Sequence, residues 1–298
     1  LSSTALYTTI YPGEEPYIKP WFDSVALQTD KDFDIVIGLD SFTPEQVFKN
    51  AGIKFEAKFV QADSGATPAQ VRSKAFEIII AEYDQVIFTD SDDILHPQRV
   101  AKAKSLLTDC DLCACALNII DTDGTDLSTI FPVKESEELP TLLPKANVFG
   151  LSNTAYRCEL LKKLMPFPPE CVMLDWFMVI KAWLLGATIK TTSMPLMQYR
   201  QHSANTARVL APFTTEQILK ACTLLKLHYS LLEEHVLPSF TDKAKPFTNA
   251  SNDLKIFMDS MSSPDTLNRY VRNLNKLDEK HIWWSWIAHP ELEEIWKN

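Results

Sequence analysis

The sequence is 298 residues long, 46% apolar and 23% charged, with a formal net charge of −10. That length and composition fit one large α/β domain with an appendage, or two modest domains, around a substantial buried core. The acidic balance, with no dense stripe of Lys and Arg, excludes a nucleic-acid binder that works by neutralising phosphates.

Residues 5–10, 33–39, 53–59 and 85–89 are short apolar runs rich in β-formers, separated by helical patterns. This alternation predicts a parallel sheet covered by helices. Between the runs, "TPEQ" at 43–46 and "TPAQ" at 67–70 each place a capping hydroxyl before a first-turn proline and a glutamine, so both predict helix starts. Cys110 and Cys113 form a lone C-x-x-C with no second pair at zinc spacing. They read as small residues entering a buried strand, and the remaining cysteines, at 115, 158, 171 and 222, are also expected to be free thiols. "DTDGTDLS" at 121–128 resembles a calcium loop, but its glycine comes too early and Pro132 stands where the bidentate glutamate belongs. Asp123 and Gly124 suit a hairpin turn instead.

The most apolar stretch, residues 171–187, is interrupted by Asp175 and Lys181 and is too short and mixed for a spanning helix. Within it Phe177, Ile180 and Leu184 recur at helical spacing. A third capping pattern, "TTEQ" at 214–217, opens a region where strand signals fade, so a helical extension is expected over 212–298 after a main domain over 1–211. Its end groups Trp283, Trp284, Trp286 and Trp296. An interfacial belt or a sugar-stacking surface is one reading; docking of a terminal helix is preferred, because the segment lacks a basic face. The first ten residues lack the features of a signal peptide, so a cytoplasmic location is expected, with peripheral contact at the inner face of a membrane left open.

The densest chemistry is in "QVIFTDSDDILHP", which sets Asp90, Asp92 and Asp93 directly after the fourth strand. Carboxylates at the C-terminal end of such a strand face the crevice where α/β sheets bind ligands. Their mutual repulsion calls for a divalent cation, and an all-oxygen site suits Mg2+ or Mn2+. Asp90 and Asp92, two apart on extended chain, are expected to reach one side, while Asp93 points elsewhere and caps the next turn.

That motif, closing a four-strand half, resembles the D-x-D of the family 2 glycosyltransferases of the GT-A fold. Other segments are similar to the family in order: "EPYIKPWFDSVALQTDKDFDIVIGLDS" to its first helix and second strand, "DSGATPAQVRSKA" to G-x-x-x-A-R-N, "FGLSNTAYRCELLKKL" to the acceptor-side strand and helix, "MLDWFMVIKA" to the E-D-W segment and "YRQHSANTAR" to Y-R-x-H-x-x-N. The resemblance implies a GT-A domain that moves a sugar from a nucleotide-diphosphate donor to a hydroxyl of a saccharide, glycolipid or protein. It implies base contacts from Thr9, Tyr11 and Asp40, a phosphate contact from Arg72, ribose or metal contact from Asp90, and metal ligation by Asp92 with His202. It also makes Asp175 the general base that transfer with inversion requires. The sequence departs from the pattern in four places. Leu39 and Leu174 replace acids, two extra residues separate Gly65 from Arg72, and "TTIYPG" is one residue longer than the common pattern. The competing readings are a haloacid-dehalogenase-like phosphotransferase, since "VIFTDSDDIL" also fits its nucleophile strand, and a nucleotide-sugar-binding module that has lost catalysis.

Overall fold

The structure is a computed structural model, described over residues 2–202, 205–206, 209–277 and 284–297. It divides into two compact units: residues 1–136, 149–170 and 181–203 form the first, and 137–148, 171–180 and 204–298 the second.

The first unit is built on a nine-stranded sheet. Its strands are β1 (Thr4–Ile10), β2 (Asp34–Leu39), β3 (Lys58–Gln61), β4 (Gln85–Phe88), β5 (Ile94–Leu95), β6 (Leu112–Ile120), β7 (Asp126–Phe131), β8 (Thr154–Arg157) and β9 (Ile189–Arg200). The spatial order is β3-β2-β1-β4-β8-β6-β9-β5, with β7 beside β6. β1, β2, β3 and β4 are mutually parallel, and β6 pairs β9 in parallel, whereas β8 runs antiparallel to both β4 and β6. Helices α1 (Glu15–Ala26), α2 (Pro44–Ala51) and α3 (Pro68–Glu82) connect the first four strands, and α4 (Arg99–Leu107) follows β5. The parallel strands read as unbroken apolar runs because both faces are buried: the successive residues Ala5 and Leu6, Val36 and Ile37, and Val86 and Ile87 are all fully buried.

Both expected capping boxes form: Thr43 and Thr67 accept from the backbone N–H groups of Gln46 and Gln70, whose side chains return the bond. The third strand differs from the expected 53–59, since pairing with β2 begins at Lys58. The earlier apolar signal has another cause. Phe55 packs against Phe22, Phe48 and Phe59, at ring distances of 3.9, 5.0 and 6.3 Å, instead of entering the sheet. Asp123 and Gly124 lie in the turn between β6 and β7, where Asp121 Oδ1 accepts from the N–H groups of Asp123 and Thr125. All six cysteines are free and buried.

One close approach shapes the sheet edge. A Cβ on Gly38 would lie 2.7 Å from the hydroxyl of Tyr7 on the neighbouring strand, so only glycine leaves room for that ring. The Tyr7 hydroxyl is in turn 2.8 Å from Thr9 Oγ1.

The second unit is helical. It comprises α5 (Leu139–Leu142), α7 (Leu174–Leu184) up to residue 180, α8 (Thr215–His235), α9 (Thr241–Met261), α10 (Pro264–Leu274) and α11 (Glu293–Trp296); α6 (Cys158–Leu164) belongs to the first unit. Thr214 forms the third capping box. Of the four grouped tryptophans, Trp283 lies outside the described residues. The other three are buried, which sets aside an interfacial belt or an open stacking surface for them. Trp296 packs against Phe257 and donates its indole N–H to the His289 carbonyl, so it docks the last helix within this unit. Among the described residues no helix is long and apolar enough to cross a membrane.

Candidate active site

The parallel register brings the C-terminal ends of β1, β2 and β4 to one edge of the first unit, with Ile10 beside Leu39 and Tyr7 beside Phe88. Thr9, Tyr11, Asp40 and Asp90 therefore stand at the same edge, the expected ligand crevice of an α/β sheet. The turn after β4 is pinned from below. Thr89 donates its backbone N–H to the Tyr7 carbonyl at 3.0 Å and accepts from the Trp21 indole at 3.2 Å. Asp40 carries its partner locally, accepting from the Ser41 hydroxyl at 3.0 Å. Arg72, on α3, has a buried Nε without a hydrogen-bond partner among the described residues. Burial pushes the Tyr7 hydroxyl up to about 12, against the Thr9 hydrogen bond and the charge of Arg72, while the charge of Asp90 raises it further.

Asp93 departs from its expected role. It does not cap the following turn: fully buried, it accepts from the Ser152 hydroxyl and, at 2.8 Å, from the Arg200 backbone N–H. Burial, reinforced by the charges of Asp92 and Asp90, pushes its carboxyl well above the usual range. Its two bonds tie the turn to Ser152 and to the end of β9.

Asp92 meets His202. Its Oδ2 lies 2.9 Å from His202 Nε2, and both side chains are 8% exposed. That bond raises the proton affinity of the imidazole against the opposing effect of burial. The third member was not anticipated from the sequence. Glu14, just before α1, is 2% exposed, and one ligand atom each from Glu14, Asp92 and His202 lie within 4.8 Å of one another. Burial first, then the charge of Asp92, pushes the Glu14 carboxyl up to about 7. Ser91 Oγ sits 3.0 Å from Glu14 Oε2 and 2.9 Å from the Thr9 carbonyl, tying β1 to this loop. Asp90 is not one of the three.

The histidine is seated by aromatic and cationic groups. Its ring stacks on Tyr17 with centroids 5.3 Å apart, and the Arg200 guanidinium lies 4.9 Å from the same tyrosine ring. Arg200 donates from Nε to the Asp92 carbonyl at 2.7 Å and from a terminal nitrogen to the Thr122 carbonyl at 2.9 Å. Two carboxylates and an imidazole form an oxygen-rich set suited to Mn2+ or Mg2+, and the repulsion that lifts Glu14 is what a cation there would relieve. With its proton removed, Nε2 of His202 presents the lone pair that such an ion needs.

In the second unit α7 begins at Leu174, so Asp175 stands inside the first turn. Asp175 Oδ1 accepts from the Trp176 backbone N–H at 2.7 Å, and Oδ2 accepts from Asn147 Nδ2 at 3.2 Å. Phe177, Ile180 and Leu184 are buried as their spacing implied. Trp176 is wholly buried and donates its indole N–H to the Leu143 carbonyl at 2.9 Å. Asn147 also escaped the sequence reading, since a lone asparagine in a loop carries no pattern.

Comparison with known proteins gives concordant results. The model of Glycosyl transferase family 2 matches residues 9–165. An uncharacterized glycosyltransferase of Methanocaldococcus jannaschii is 27% identical over 162 residues, which are 52% of this chain and 55% of that protein, so the match spans about half the relative's length. Among solved structures, S. aureus TarS 1–349 in complex with UDP-GlcNAc is 18% identical with a TM-score of 0.56, over 95% of this chain and 99% of that one. The mannosyltransferase PcManGT from Pyrobaculum calidifontis, in complex with GDP-Man and Mn2+, is 16% identical with a TM-score of 0.55, over 85% of this chain and 70% of that one. At such identities the structural likeness establishes the fold.

Proposed function

The chain belongs to glycosyl transferase family 2, and on that premise we propose that it transfers a sugar, with inversion, from a nucleoside diphosphate to an acceptor hydroxyl. The observation that carries this reading is the convergence of Asp92, His202 and Glu14 at the C-terminal edge of the parallel strands. Neighbours of the same fold supply the donor class by analogy, one holding UDP-GlcNAc and the other GDP-Man with Mn2+. Membership of the family sets aside the phosphotransferase reading.

In this reading Thr9, Tyr11 and Asp40 bind the base, Asp90 the ribose, and Arg72 offers its guanidinium to the diphosphate. Asp92 and His202, with Glu14 beside them, would hold Mn2+ or Mg2+. A cation bound there would supply Lewis-acid neutralisation of charge on the departing diphosphate. Asp175 takes the proton of the acceptor hydroxyl as its oxygen bonds to the anomeric carbon, and the bond from that carbon to the diphosphate oxygen breaks on the opposite face. The acceptor is a saccharide, glycolipid or protein hydroxyl, reached in the cytoplasm or at the inner face of a membrane.

The experiment is a thermal-shift and calorimetric screen of UDP-, GDP- and dTDP-sugars, each in Mn2+ and in EDTA. Cation-dependent binding of one donor, followed by release of its nucleoside diphosphate, is the expected result. Equal affinity in EDTA would overturn the metal site, and binding without turnover would leave a sugar-nucleotide receptor.

A further inference from the structure

Helix α8 carries a histidine and a tyrosine side by side, at 228 and 229, and both are buried. The His228 ring lies on the Trp176 indole with centroids 4.4 Å apart and planes 22° from parallel. Tyr229 meets the same indole at 6.3 Å, nearly edge-on, and donates its hydroxyl to the Pro144 carbonyl at 2.7 Å. Trp176 itself reaches the Leu143 carbonyl through its indole and Asp175 Oδ1 through its backbone N–H. Asn147 completes the set from the other segment by donating to Asp175 Oδ2. The two stretches of chain that hold the Asp175 carboxylate, 143–147 and 174–176, are thus both fastened to one helix turn of α8.

Stability by itself does not account for this choice of residues. Among the described residues neither ring nitrogen of His228 has a hydrogen-bond partner. Two polar atoms buried in that way destabilise the fold, and an apolar ring would avoid the penalty. Side chains that break a local rule of stability concentrate where geometry serves function. A flat ring against the indole fixes its plane, and a general base must stand within hydrogen-bond reach of the proton it takes.

We infer that His228 and Tyr229 are positioning residues for Asp175, so that the C-terminal helical region sets the geometry of the catalytic carboxylate. The inference rests on the reading of Asp175 as the general base. Its effect is exerted through Trp176 and Asn147, and neither α8 residue touches the substrate.

The test compares Tyr229→Phe, His228→Leu and His228→Phe with the unaltered protein and with Asp175→Asn. Turnover is followed as release of UDP or GDP from UDP-GlcNAc or GDP-mannose in Mn2+, donor affinity by calorimetry, and backbone hydrogen exchange over residues 174–178. Displacement of a reacting group by about 1 Å costs on the order of a hundredfold. Tyr229→Phe and His228→Leu are therefore expected to lower kcat at least about tenfold, leave donor Kd within about twofold, and speed exchange over 174–178. His228→Phe, which keeps the flat face, restores turnover and slow exchange. Tyr229→Phe changes almost no volume, so it decides the matter if His228→Leu fails to fold. Unaltered exchange over 174–178 in Tyr229→Phe overturns the inference, whatever the donor. Normal turnover in Asp175→Asn would instead overturn the reading of the base, a separate result.

Discussion

Asp92 and His202 lie 110 residues apart in the chain, yet His202 Nε2 is held 2.9 Å from Asp92 Oδ2 with both side chains nearly buried. An imidazole Nε2–H can donate to that carboxylate, and a cation bound between the two groups would take the place of the proton. Asp92→Ala is expected to weaken Mn2+-dependent binding of UDP-GlcNAc or GDP-mannose by about a hundredfold, at the upper end of what disturbing a metal's surroundings costs. Titration calorimetry in Mn2+ and in EDTA reads this directly, and a variant that binds as before removes Asp92 from the site.

Tyr17 should matter through its ring and not its hydroxyl. It stacks on His202 and lies under the Arg200 guanidinium. Tyr17→Phe is expected to keep Mn2+ affinity, while Tyr17→Ala lowers it by about tenfold, the scale of a lost supporting contact. Electron paramagnetic resonance of free Mn2+ measures both; equal affinities would mean the stack is incidental.

Glu14→Gln separates repulsion from ligation. The carboxyl is pushed up to about 7 by burial and by Asp92, so replacing it with a neutral amide should raise Tm in EDTA, by about 2–4 °C for each kcal/mol relieved in a chain of this size. The rise in Tm on adding Mn2+ should shrink at the same time, because one ligand is gone. A Tm that moves equally in both conditions would show that Glu14 is structural.

Asp175→Asn is expected to abolish transfer while metal and donor binding hold. The amide keeps the acceptor for the Trp176 N–H but cannot take a proton, and general-base catalysis contributes roughly a hundred- to ten-thousand-fold. Measuring kcat and donor Kd on one preparation is sufficient. Retention of most turnover removes Asp175 from the mechanism.

His228 predicts how the protein responds to acid. Burial by itself drives its proton affinity down to about 3 from an ordinary 6.5. A histidine depressed in the folded state contributes stability that is fully present above the unfolded value and lost as pH falls toward the folded one. Between pH 6.5 and 3 this amounts to on the order of 5 kcal/mol. Carboxylates act alike in both proteins, so the difference between the unaltered chain and His228→Phe isolates the term. Denaturant titrations at pH 7 and pH 4.5 that give the same difference in stability between the two would refute it.

The half of the fold that the sequence revealed is the half governed by local rules. Three capping boxes at Thr43, Thr67 and Thr214 are written in four residues each, and the turn at Gly124 follows from a short pattern. β3 was misplaced because Phe55 carries the same apolar signal whether it enters a sheet or closes an aromatic cluster beside it. Asp92 and His202 were legible through motif order. Glu14 was hidden because an acid before a helix is common for reasons of helix polarity. Asp93 was misread because its burial depends on Ser152 and Arg200, 59 and 107 residues away. The grouping of residues 137–148 and 171–180 with the C-terminal helices arises from packing between distant segments, and no periodicity encodes that.

Gly38 and Tyr7 form a pair whose consequence reaches beyond this one sequence. A methyl group at 38 would come within 2.7 Å of the Tyr7 hydroxyl but 3.5 Å from the ring carbon that bears it, so the oxygen is the sole serious obstacle. Gly38→Ala alone forces a buried ring to move, at about 1–3 kcal/mol. Tyr7→Phe alone gives up the bond to Thr9, at about 1 kcal/mol. Made together, the second change clears the space that the first needs. The two positions are therefore epistatic: selection acts on the pair, and a homologue with a side chain at 38 should have dispensed with the phenol at 7.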